Sequence, residues 1–189
     1  MARPLSPEKR NALLQSATLA VAEHGVMATT SAIAKGAGVA EGTLFTYFES
    51  KETLFRELYL HLKEQLAQAL MPDYPHGGGY EARMAHVFER FVGWGLDNPA
   101  GRHAIARLSA SGLIPQTTRL QGMEPFLAVS KMLEDGVREG VLIKAPISLL
   151  ASVFEQIADV TIDHVNQQPD ARERFLKLGF QMVWRGITT

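Results

Sequence analysis

Apolar residues recur at three- and four-residue spacing along almost the whole chain, and no run alternates with period two. The pattern predicts an all-α protein. Ser6-Pro7-Glu8 marks a start: a serine to cap, a proline at the first helical position, an acid beside the positive end of the helix dipole. Leu13, Leu14, Ala17, Ala20 and Val21 then share one face until Gly25 ends the helix. Two short helices follow, at about Thr30 to Lys35 and Glu41 to Phe48, separated by the tight turn Gly36-Ala37-Gly38-Val39. Ser50 caps a longer helix that runs to about Leu70. The stretch Met71 to Gly79, with its prolines and its run of glycines, is the clearest break. Beyond it the spacing predicts helices over 80–97, 99–110, 115–139, 146–167 and 170–186, with Pro99, Pro115, Pro146 and Pro169 near their starts.

A short helix, a glycine-bearing turn and a second short helix, packed on a longer preceding one, form the helix-turn-helix arrangement. In that motif the second helix enters the DNA major groove N-terminus first. Ile33, Ala34, Val39, Leu44 and Phe48 can close a small core with Leu14, Ala17 and Val21. That leaves Thr30, Ser31, Glu41, Gly42, Thr43, Thr46 and Tyr47 outside, where hydroxyls suit phosphates and base edges. Gly42, lacking a side chain, lets backbone approach backbone.

Charge argues the other way. Residues 1–60 hold six bases (Arg3, Lys9, Arg10, Lys35, Lys51, Arg56) against six glutamates, a weak footprint for a nucleic-acid binder. The rest of the composition excludes more than it assigns. With 46% apolar and 21% charged residues the chain is too apolar for disorder, and 189 residues allow one domain, or one large and one small. The absence of cysteine removes disulfides, thiolate catalysis and zinc–thiolate sites. No apolar run is long enough to span a membrane, and MARPLSPEKR is no secretory signal, so a cytoplasmic protein is expected.

The segment TTSAIAKGAGVAEGTLFTYFESKETL, Thr29 to Leu54, resembles the DNA-binding signature of the TetR family of bacterial transcriptional regulators. The matching elements are Thr29-Thr30, Ile33-Ala34, Ala37-Gly38-Val39, Gly42-Thr43-Leu44, Tyr47-Phe48 and Lys51, and the resemblance extends over roughly residues 10–60. It implies residues 1–50 as a three-helix DNA-binding domain and 51–189 as a helical body for effector binding and dimerisation. It further implies phosphate contacts from Thr30, Ser31, Thr43, Tyr47 and Lys51, with helix N-termini aimed at phosphates making up for missing basic charge. Three positions depart from the family pattern. Ala40 stands where serine is frequent, Thr46 where a longer polar or basic residue is, and Phe45 where tyrosine is. Ala40 leaves the recognition helix without a side-chain cap, at a cost of about 1 kcal/mol.

In the body, Phe88, Phe91, Trp94, His103, Met123, Phe126 and Met132 are candidates to line a site for an apolar effector; taken singly, each also reads as plain core. The helix at 146–167 is apolar over about half its circumference, through Leu149, Leu150, Val153, Phe154, Ile157, Val160 and Val165. Such breadth exceeds what one neighbour requires. Together with the last helix (Phe175, Leu178, Met182, Val183, Ile187) it predicts a homodimer through about residues 146–187, four helices about a two-fold axis. The resemblance then implies a repressor released from a palindromic operator by a small, largely apolar molecule.

An enzyme is not expected. His24, His61, His76, His86, His103 and His164 form no metal-ligand spacing, and no phosphate loop, nucleophile elbow or acid–base pair stands out. Glu155, Asp159 and Asp163 read as a solvated stripe, so neither metal nor cofactor is expected. The alternative is a helical small-molecule carrier or adaptor, which would leave Thr43, Tyr47 and Lys51 without purpose.

Overall fold

The computed structural model describes residues 5–189. Ten α-helices are present among them: α1 Pro7–His24, α2 Thr30–Gly36, α3 Glu41–Tyr47, α4 Lys51–Leu70, α5 Tyr80–Asp97, α6 Pro99–Ala110, α7 Gln116–Met123, α8 Leu127–Arg138, α9 Ile147–Gln167 and α10 Arg172–Ile187. Short 3-10 turns follow α1, α7 and α9. Among the described residues there is no strand, only an isolated bridge between Leu142 and Thr188.

One expected element is two. The predicted helix over 115–139 ends at Met123, passes through the 3-10 turn Glu124–Phe126, and resumes as α8. Pro125 is the cause: it has no N–H to give, and its ring collides with the carbonyl four residues back. The apolar spacing continues across the break and hides it.

The chain forms two compact units. The first comprises residues up to Glu64 together with Asn98–Met123; the second comprises Gln65–Asp97 and Glu124–Thr189. The first unit thus takes in α6 and α7 as well as the N-terminal helices. α6 packs on α1, and Ala104 and Leu108 of α6 join Leu13, Leu14, Ala17, Val21, Ile33, Leu44, Phe48 and Leu58 in one buried core. The anticipated small core around Ile33, Ala34, Leu44 and Phe48 is present, with Val39 partly buried at its edge.

Local chemistry sets the geometry of α1 to α3. The Ser6 hydroxyl accepts from Lys9 N at the start of α1. Gly25, at φ 60°, ends α1 while its N–H returns to Val21 O. After α2, Gly38 takes φ 69° and donates to Lys35 O, and Val39 N donates to Ala34 O. This pair of bonds around a left-handed glycine is the Schellman stop. α2 lies tight on α1: Ser16 Oγ donates to Ile33 O at 2.7 Å, and a methyl at Gly36 would collide with Ser16 Oγ.

The second unit is built on α5, α9 and α10. Met84, Phe88, Val92, Met132, Leu150, Ile162 and Val183 are buried together. Gly179 lets α10 close on its neighbours, since a methyl there would stand 2.2 Å from Thr161 Oγ1 and 2.9 Å from the Phe88 ring.

Candidate nucleic-acid interface

The sequence of α2 and α3 places their N-termini side by side. Thr29 caps α2, its hydroxyl accepting from Ala32 N at 3.2 Å. Ala40 precedes α3 and supplies no side-chain cap, so the expected gap is real. The next residue bridges the two helices instead: Thr30 Oγ1 donates to Glu41 Oε1 at 2.6 Å. Ser31, Glu41, Gly42 and Thr46 are exposed, while Thr30, Thr43 and Tyr47 are half-buried. The Thr46 hydroxyl turns back along the helix to Gly42 O at 3.1 Å.

Tyr47 and Lys51 hold the ends of other elements. The Tyr47 hydroxyl accepts from Ser6 N at 3.0 Å, tying α3 to the start of α1, and its own proton is left to donate. Lys51 Nζ donates to Val26 O at 2.9 Å and lies over the Phe55 ring. The lysine therefore joins the turn after α1 to the first residue of α4. Neither tie was visible in sequence, because each links residues at least 25 positions apart.

Two carboxyls at helix starts are held below the ordinary carboxylate range. Glu8 is held there by the Ser6 hydroxyl, and Glu52 first by its own backbone N–H and then by the Ser50 hydroxyl. Ser50 also caps α4, accepting from Thr53 N at 3.1 Å.

His61, on α4, is shifted the other way for a base. Burial, and then the Arg10 charge, push its pKa below 6.5. The folded chain therefore resists protonation that the unfolded chain accepts. The stability this contributes is full above pH 6.5 and is lost as pH falls from there through the folded value. Urea unfolding between pH 7.5 and 5 is expected to show that loss, at less than about 1 kcal/mol because the ring is only half-buried. His61→Gln should flatten the slope; an unchanged slope would place its origin in other groups.

The body candidates are divided between the two compact units. Phe88 is buried in the second unit with Phe154 edge-on at 5.7 Å, and Phe91 meets the same ring at 5.6 Å. Trp94 and Phe126 are buried in that unit too. His103 and Met123 belong to the first unit and are exposed, with Arg102 3.1 Å from the His103 ring. Phe154, expected only as part of an apolar face, and Phe180, not singled out in the sequence, complete the aromatic cluster.

Residues 13–58 match the model of the bacterial regulatory proteins, tetR family, a span covering the core of α1, both short helices and the first turns of α4. Over this N-terminal span the chain matches the TetR family. It is 34% identical over 76 residues to the uncharacterized HTH-type transcriptional regulator YhgD of Bacillus subtilis (strain 168), a match covering 38% of this chain and 40% of that relative. Among solved structures, a TetR-family transcription regulator from Shewanella sp. PV-4 superposes with TM-score 0.82 at 24% identity, covering 96% of this chain and 98% of that one. The TetR-like regulator LfrR from Mycobacterium smegmatis, solved in complex with proflavine, superposes with TM-score 0.65 at 20% identity, covering 96% and 98%. Likeness at these identities extends the shared fold over the whole chain.

Proposed function

We propose that this TetR-family chain is a ligand-responsive transcriptional regulator that binds a palindromic operator as a homodimer and is released by a small, largely apolar effector. The observation that carries the reading is the α2–α3 pair: two N-termini side by side, with Thr30, Ser31, Glu41, Gly42, Thr43, Thr46 and Tyr47 on their outer side. Helix N-termini and hydroxyls hold phosphates without net positive charge, which suits a domain whose bases and acids balance. Tyr47 and Lys51 would hold the backbone, and Glu41 would accept from a cytosine amino group. In this reading residues 1–50 bind DNA and 51–189 bind effector and pair. Among the described residues no helix is long and apolar enough to cross a membrane, which fits a cytoplasmic regulator.

Two observations support the body's roles. Leu149 and Val160 of α9 and Leu178 and Met182 of α10 are exposed apolar residues on the helices proposed to pair. Phe91, Phe154 and Phe180, half-buried beside the buried Phe88, offer faces for a flat apolar molecule, and the likeness to a regulator solved with proflavine points the same way. α4 contributes residues to both compact units, so a ligand that prefers one setting of α4 can bias the DNA-binding helices.

Coupling of this kind is reciprocal: effector and operator weaken each other by the same factor. Apolar and aromatic compounds that raise the melting temperature should, titrated into the protein–operator complex, lower DNA affinity about 5–150-fold, the usual range of coupling. Hits that bind tightly yet leave operator affinity unchanged would leave a carrier as the better reading of the body.

A further inference from the structure

The side chains on the outer face of α3 do not have the chemistry that reads purines. The helix is Glu-Gly-Thr-Leu-Phe-Thr-Tyr, without the Arg, Lys, Asn or Gln that make two hydrogen bonds to guanine or adenine edges. Of its polar side chains, Glu41 accepts from the Thr30 hydroxyl, Thr46 donates to Gly42 O, and Tyr47 accepts from Ser6 N. Gly42 is open, with nothing within 4 Å of an added methyl. Beside it stands Phe45, 45% exposed while its neighbours Leu44 and Phe48 are fully buried. The exposed middle of the helix thus offers a phenyl ring and a bare backbone.

From this we infer that α3 reads its operator through Phe45, by contact with the C5-methyl group of a thymine in the major groove, with Thr46 beside it. The inference rests on the reading of α3 as the DNA-recognition helix. Thymine is the only standard base that puts a methyl in that groove, and aromatic and threonine side chains are apt partners for it. The half-site then carries a thymine whose methyl adds to affinity.

Deoxyuridine isolates this contact, because it keeps every hydrogen-bonding group of thymidine and loses only the methyl. On a selectively bound fragment of the gene's own upstream DNA, each thymine of one half-site is replaced singly by deoxyuridine and binding is measured by fluorescence anisotropy. One position is expected to lose about fourfold in affinity, the worth of one buried methyl, and about fifteenfold when both half-sites are changed. Phe45→Ala should weaken the thymine site and erase the difference between thymine and uracil; its half-exposed position leaves melting little changed, and Phe45→Leu should retain part of the difference. Uracil tolerated at every position of a selectively bound site overturns the methyl contact and leaves DNA binding standing. A uracil penalty that survives Phe45→Ala overturns the assignment to Phe45. Failure of every upstream fragment to bind selectively overturns the inference together with the DNA-binding reading beneath it.

Discussion

Glutamate at both Leu178 and Met182 is expected to give a folded monomer. Both side chains are exposed in the single chain, at 38% and 61%, one turn apart on α10, so the change leaves the chain's own core untouched. In a dimer they would be covered. Four buried, unpaired carboxylates, two from each chain, then cost several kcal/mol in the assembly, enough to raise the dimer dissociation constant by about three orders of magnitude or more. Light scattering at micromolar concentration should read a dimer for the unmodified protein and a monomer for the variant, with the same helical circular dichroism for both. A variant that still runs as a dimer would move the interface off α10. A monomeric unmodified protein would remove the two-fold symmetry on which a palindromic operator depends.

Phe88→Ala should be the most destabilising single change in the second unit. The ring is 1% exposed, meets Phe154 edge-on, tilts against Phe180 at 6.1 Å, and abuts Gly179 closely enough to exclude a methyl there. Removing a ring packed on all sides forfeits its transfer free energy and leaves a cavity, about 3–5 kcal/mol. Phe91→Ala, at a half-buried site, should cost roughly half as much. Urea unfolding gives both numbers. A cost below about 1 kcal/mol for Phe88→Ala would show that the ring faces open space rather than core, and would strengthen its candidacy as a wall for the effector.

What could be read from sequence, and what could not, divides by distance along the chain. Ser6, Gly25 and Ser50 mark helix ends through bonds spanning three or four residues, and those ends lie where the spacing put them. Ile33, Ala34, Leu44 and Phe48 are buried together because a helical period of 3.6 fixes which residues share a face. Pro125 was the exception among local signals, since an uninterrupted apolar period outweighed a single imino acid. The uses of Tyr47, Lys51 and Thr30 could not be read, because their partners Ser6, Val26 and Glu41 come near only when the helices pack. His103 and Met123 belong to the compact unit built on α1, and Phe88, Phe91, Trp94 and Phe126 to the other, a division that helical spacing does not mark.

We propose that α2 and α3 form a sequence-reading DNA surface despite a domain without net positive charge. Fluorescence anisotropy on the gene's own upstream DNA, against a scrambled fragment of equal length and across 50–300 mM salt, tests it most directly. The account predicts selective binding, at least about a thousandfold tighter than to scrambled DNA at physiological salt. It also predicts a shallow salt slope, since backbone N–H groups and hydroxyls, unlike a row of lysines, displace few counterions. Tyr47→Phe should weaken binding to matched and scrambled DNA by the same few-fold factor, as the loss of one phosphate contact does. Equal affinity for matched and scrambled fragments at every salt concentration would contradict the account.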